Sequence, residues 1–199
     1  MIDEGYIKFQ SAWERSEPIA VPELESLMEW RRPLYAAGLV GHLDDEDVGY
    51  GNISARCRDA TGFVISGTQT GHLADPGPEH YSLVTGYDFD TNVVQCRGAA
   101  QASSESLTHA AIYELDPSIR AVVHVHSEAL WQALKGELPT TADDIAYGTP
   151  DMAREFQRLF RETAFSTEGV AVMGGHENGL VSMGGSVKEA CDRILALRP

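Results

Sequence analysis

The sequence predicts an α/β domain built on a mixed sheet. Three observations lead there: β-branched runs such as "RAVVHVHS" and "GFVIS", helix-start signals before several amphipathic stretches, and strands and helices that intermix without a regular βαβ period. At 199 residues, with 43% hydrophobic and 23% charged residues, the chain can bury one substantial core of ordinary composition.

Taken in order, residues 20–40 read as a helix, with Pro22 in its first turn. Leu24, Leu27, Met28, Leu34 and Tyr35 partly share one face, and Pro33 is expected to kink or interrupt it. "YGNISAR" and "GFVISGTQTG" supply short strands around Ile53 and Phe63–Ile65, separated by a turn at 59–62. "LVTGYDFDTNVVQC" reads as a hairpin turning at "DFDTN". Residues 103–115 carry a helix start, with Ser103 or Ser104 as cap, Glu105 in the first turn, and Leu107, Ala110, Ala111 and Tyr113 as the apolar face. "RAVVHVHS" follows as a strand. Thr149 caps a second helix with Pro150 at its first position. "GVAVMGGHENGLVSMGG" reads as strand, glycine-rich turn and strand, and Ser186 with Glu189 opens a C-terminal helix as a capping box.

Thirty acidic against fifteen basic residues give a net charge of −15. Such a surface disfavours nucleic acid and anionic membranes as partners. No apolar stretch approaches the roughly 20 residues that span a bilayer. The N-terminus is polar and acidic, unlike a signal peptide. Cys57, Cys96 and Cys191 are far apart and form no CxxC spacing, which argues against a disulfide framework and for a cytoplasmic location.

The chemistry concentrates in "AVVHVHSEAL", residues 121–130. Side chains alternate faces along a strand, so His124 and His126 project to one side, within reach of one metal ion. The alternative is a pair of core histidines hydrogen-bonded to neighbours. His176 in "MGGHENGL" is the best third ligand, because Gly174, Gly175 and Gly179 let the backbone approach closely; a solvated turn histidine is the competing account. Glu105 is either a fourth ligand or acid/base group, or a carboxylate offsetting the helix dipole. Ser103 and Ser104, at a helix start, suit an anion such as phosphate.

Together, "GNISAR" (51–56), "ISGTQTG" (65–71), "SSESLTHAAIY" (103–113), "AVVHVHS" (121–127), "YGTPDMA" (147–153) and "GGHENGLVSMGGS" (174–186) resemble the class II aldolase/adducin family, in order, from about residue 23 to the C-terminus. The resemblance implies one domain over 1–199 with residues 1–20 as an extension, and a three-layer αβα fold around a mixed, mostly antiparallel sheet. It implies a homo-oligomer, often a tetramer, acting on a small-molecule substrate. His124, His126 and His176 fall on the family's metal ligands and Glu105 on its catalytic acidic residue. Asn52, Gly67, Ser103 and Ser104 fall on its phosphate-holding positions, with Thr68 as a helper. The metal is expected to be Zn2+, with Mn2+, Co2+ or Fe2+ as alternatives.

The activity so implied is aldolase-type C–C cleavage of a hydroxylated carbonyl or sugar phosphate through a metal-stabilised enediolate. Decarboxylase, dehydratase and epimerase chemistry at the same metal, or a non-catalytic adducin-like interaction domain, are the alternatives. Three departures stand out: "ISGTQTG" replaces a "TPSG"-like loop, the loop carrying the aldolases' catalytic tyrosine is missing, and "HENG" replaces "HG". Tyr147 lies near that missing loop, but the role does not transfer to it by resemblance.

Overall fold

The computed structural model describes residues 6–43, 47–58 and 61–199. Its main sheet is assembled from strands β1 (Gln10–Arg15), β4 (Asn52–Arg56), β5 (Phe63–Ser66), β6 (Tyr81–Asp88), β7 (Val93–Gly98), β8 (Ala121–His126), β9 (Val170–Val172) and β10 (Gly179–Gly184). They run in the order β1-β7-β6-β5-β4-β8-β10-β9. β1 and β7 pair parallel and every other ladder is antiparallel, so the sheet is mixed as expected. A small hairpin of β2 (Gly41–Leu43) and β3 (Val48–Tyr50) stands apart.

Helices cover both faces, giving three layers. On one face Leu24, Leu27 and Leu34 of α1 (Glu23–Ala36) and Ala190 and Ile194 of α6 (Val187–Leu195) pack on Ile53, Val123 and Val125. On the other, Leu107 and Ala110 of α2 (Ser106–Leu115) and Met152, Phe156 and Leu159 of α4 (Pro150–Glu162) pack on Ile65, Val122 and Val181. Each β8 side chain is thus committed to a layer by strand alternation, and His124 and His126 fall on the α2 side with Val122.

Local signals account for most boundaries. Thr149 Oγ1 accepts from Met152 N at 3.3 Å with Pro150 opening α4, and Ser186 Oγ accepts from Glu189 N at 3.1 Å at the start of α6. The β6–β7 turn is closed by Asp88 Oδ1, which accepts from Asp90 N and Thr91 N. The turn at 59–62 falls partly outside the described residues.

Two expectations change, and some elements lie outside any expectation. α1 spans Glu23–Ala36 and runs through Pro33 without interruption. A proline removes only one backbone donor, and burial of Leu34 and the Arg31 turn before it holds the last turn in place. α2 begins at Ser106, so neither serine caps it: Glu105 is itself the residue before the first turn, with φ −90° and ψ 7°. Ser103 and Ser104 instead form the tight turn leading in, closed by Ser106 N to Ser103 O at 3.1 Å. The segments β1, β2–β3, α3 (Glu128–Leu134) and α5 (Phe165–Glu168) had no readable period. β1 is nearly all exposed, and its placement comes from the backbone ladder with β7.

Candidate metal centre

His124 and His126 occupy the C-terminal end of β8, between β4 with its Asn52 on one side and β10 on the other. His126 N donates to Leu39 O at 3.0 Å, which ends the strand. His176 arrives from the β9–β10 turn. Its N–H donates to Met173 O, and its carbonyl accepts from Gly179 N at 2.9 Å. A Cβ at Gly179 would lie 2.6 Å from the His176 ring, so only glycine lets the imidazole fold back over the turn.

The three imidazoles converge. His124 Nε2 lies 3.1 Å from His126 Nε2, which lies 2.7 Å from His176 Nε2. The rings stand nearly perpendicular in every pair, at 80–83° with centroids 4.7–5.0 Å apart. Ligand nitrogens of a tetrahedral zinc with bonds of 2.0–2.1 Å sit about 3.3 Å apart, so small ring rotations suffice to admit an ion. His124 Nδ1 is 3.2 Å from Leu180 O. Donation there fixes the tautomer and leaves Nε2 as the ligand nitrogen. Burial, with the two neighbouring histidines, holds the His124 imidazolium well below its ordinary range. The ring is therefore neutral at neutral pH, the form a metal requires.

Among the described residues these three histidines form the one cluster of metal-ligating side chains. Glu105 adjoins it: its carboxylate is 3.6 Å from His176 Nδ1, and both side chains are about 2% exposed. Tyr147 packs its ring edge-on against His176 at 4.4 Å. Its hydroxyl is spent on the N-terminal segment, accepting from Tyr6 N at 3.1 Å and donating to Tyr6 O at 3.2 Å.

Beside the histidines, Asn52, Gly67, Thr68, Ser103 and Ser104 line one pocket, together with Gly49, Gly51, Gln69, Thr70 and Gly71. All five residues expected to hold an anion are thus brought together. Gly67 is bridged to Ala102 and Thr68 N donates to Gln101 O, which staples the loop after β5 to the turn before α2. The Asn52 carboxamide oxygen is buried with no hydrogen-bond partner. Because Asn52 pairs directly with His124 across β4 and β8, pocket and histidine cluster are neighbours.

Sequence reading missed two buried residues near the site. His109 lies one turn beyond Glu105 on α2, fully buried, with Nδ1 2.7 Å from Ser54 Oγ. Ser54 Oγ is also 2.7 Å from the Tyr113 hydroxyl. Its signal was the i,i+4 spacing from Glu105 amid the apolar Leu107, Ala110, Ala111 and Ile112. Arg31 is the other, a cation at the 24-27-31-34 spacing of an apolar face.

Two strand histidines joined by one from a turn, an adjoining acidic residue and a polar pocket at a helix start make a candidate metal site on an α/β fold. The chain belongs to the class II aldolase and adducin N-terminal domain family, which it matches over residues 27–198. Its fold is similar to L-fuculose-1-phosphate aldolase from Thermus thermophilus, at 20% identity, 86% coverage of each chain and a TM-score of 0.61. It is likewise similar to a sugar-phosphate aldolase from Thermotoga maritima, at 17% identity, 86% and 90% coverage and a TM-score of 0.62. An aldolase II superfamily protein from Pseudomonas syringae matches at 19% identity, 89% and 72% coverage and a TM-score of 0.62. No helix among the described residues is long and apolar enough to cross a membrane.

Proposed function

We propose that this chain is a metal-dependent lyase that cleaves a C–C bond in a small hydroxylated carbonyl or sugar-phosphate substrate. The observation that carries the reading is the convergence of the Nε2 atoms of His124, His126 and His176 in a chain of this family. The donor set fits a divalent ion: three neutral imidazoles leave its charge uncompensated and coordination positions open. Zinc is the first choice, with manganese, cobalt or iron as alternatives. When bound, such an ion polarises a substrate carbonyl and stabilises negative charge left on the substrate oxygens by bond cleavage.

The protein's own groups then divide the work. Leu180 O orients His124 through its outer nitrogen, and Glu105 stands beside His176. Glu105 is the group that moves a proton to or from the substrate. Asn52, Gly67, Thr68, Ser103 and Ser104 hold the anionic end of the substrate beside the histidines. A homo-oligomer, as large as a tetramer, follows from the family resemblance and is part of the proposal.

Decarboxylation at the same centre is the second reading. It is favoured by the commitment of the Tyr147 hydroxyl to the Tyr6 backbone, which keeps that hydroxyl from serving as a second proton donor beside Glu105. Incubation of the metal-loaded protein with a panel of hydroxylated carbonyl compounds and their phosphates, with chromatographic identification of products, decides between them. An aldehyde product supports the aldolase; carbon dioxide without an aldehyde replaces it with the decarboxylase. Glu105→Gln is expected to keep its metal and lose turnover by about 100-fold or more. Elemental analysis that finds no metal in active protein would overturn both.

A further inference from the structure

Arg31 is, among the described residues, the only Lys or Arg that is fully buried, at 0% exposure. It sits on the core face of α1 between Leu27 and Leu34. Arginine is almost never buried this deeply without a carboxylate. None lies within 4.0 Å of it among the described residues, although the chain carries 30 acidic side chains. Its Nη2 donates instead to three main-chain carbonyls: Thr70 O at 3.0 Å, Gly71 O at 3.1 Å and Leu73 O at 3.1 Å. Nε and Nη1 are buried with no hydrogen-bond partner, and so is the neighbouring Tyr81 hydroxyl. Carbonyl dipoles therefore offset only part of the cost of desolvating this charge.

Those carbonyls belong to the loop that walls the polar pocket. In a trans peptide the N–H points opposite to the C=O, so drawing Thr70 O and Gly71 O toward Arg31 turns the N–H groups of Gly71 and His72 away from it. The loop has little freedom to answer otherwise. A Cβ at Gly71 would lie 2.0 Å from Gly41 O and 2.8 Å from Gly49 Cα. The pocket itself is lined by Asn52, Thr68, Gln69, Thr70, Ser103, Ser104 and glycines, with no charged side chain. An anion entering it crosses the field of a chain with net charge −15. The buried guanidinium behind the loop is the nearby positive charge that would favour it, in a setting that water screens poorly.

We infer that Arg31 is the positioning residue of this pocket, fixing the 67–73 loop and supplying from behind it the charge that makes the pocket selective for a phosphate-class dianion. The inference rests on the proposed anion-holding role of Asn52, Gly67, Thr68, Ser103 and Ser104, and adds to it a residue that touches no substrate.

The test is titration of the metal-loaded protein with inorganic phosphate, by calorimetry, for wild type, Arg31→Met and Arg31→Lys. The expected result is saturable binding by wild type, weakening by about tenfold or more in R31M with metal content unchanged, and recovery of most of the affinity in R31K. A purely structural role predicts loss in R31K too, since the lysine ammonium ends one bond short of Nη2 and falls short of the three carbonyls, and that result overturns the inference. Wild-type binding with R31M within about twofold also overturns it, while the anion pocket stands. Absence of saturable phosphate binding by wild type overturns both. If R31M does not fold, the Arg31 Nε–H resonance of the wild type decides by NMR: a shift that tracks phosphate saturation supports the inference, and an unmoved signal overturns it.

Discussion

The histidine cluster and the polar pocket lie side by side across β4 and β8, yet they are built by opposite means. His124 and His126 are fixed by a strand with ladders on both sides, so their separation is set by the pleat before any tertiary contact forms. The pocket takes Asn52 from β4, but most of its lining comes from connecting segments, chiefly the 67–71 loop and the turn before α2, and these are held from outside by Arg31, Gln101 and His80. A site drawn from a regular element inherits precision from that element. A site drawn from loops needs buried long-range partners to acquire the same precision.

The largest expected effect falls on the strand side. His126→Ala removes the ligand that contacts both others, and metal content by elemental analysis is expected to fall from about one ion per chain to none, taking turnover with it. Full metal content in this variant would break the claim that the cluster is strand-anchored, leaving His176 and Glu105 to explain binding.

A second test asks how firmly α2, which follows the 103–105 turn, is fastened to the sheet. Burial pushes the His109 imidazolium down to about 3 in the folded chain, against 6.5 for a free histidine. Between those values the unfolded chain binds the extra proton, so this stabilisation is complete above about pH 6.5 and is lost as the pH falls toward 3. The slope expected from this one group is up to about 1.4 kcal/mol per pH unit. Urea unfolding between pH 4.5 and 7 measures it, and His109→Gln is expected to flatten the profile. An unchanged profile would mean that His109 does not set the acid sensitivity of this helix.

Smaller effects sharpen the same contrast. Ser54→Ala deprives His109 and Tyr113 of their shared buried partner, at an expected cost of about 1–3 kcal/mol in chemical denaturation. It should leave metal content intact, because His124 is held by Leu180 O and by the ladders to β4 and β10, and its hydrogen bonds among the described residues do not go to Ser54. Tyr147→Phe frees both Tyr6 backbone groups from the ring that backs His176, at about 1 kcal/mol or less, and limited proteolysis should then cut the N-terminal segment sooner.

Local physics made much of this molecule legible. The alternation of "VHVH" put two histidines on one face because a strand has a period of two, whatever the rest of the chain does. Thr149–Pro150 and Ser186–Glu189 marked helix starts because caps satisfy donors within a turn. Where a signal was absent, the structure relied on contacts distant in sequence. β1 is ordered by pairing with β7, 83 positions away by the Gln10–Val93 register, and shows no periodicity of its own.

The fold class, the strand-borne histidine pair and the residue types of the candidate site were legible in the sequence, since each depends on neighbours within a few positions. Long-range packing alone brings Glu105 against His176, locks His109 to Ser54, and sets Arg31 beneath the 67–73 loop. Those contacts join residues about 40 to 70 positions apart. Their energies depend on desolvation and on what closes around them, and neither is written in any one segment.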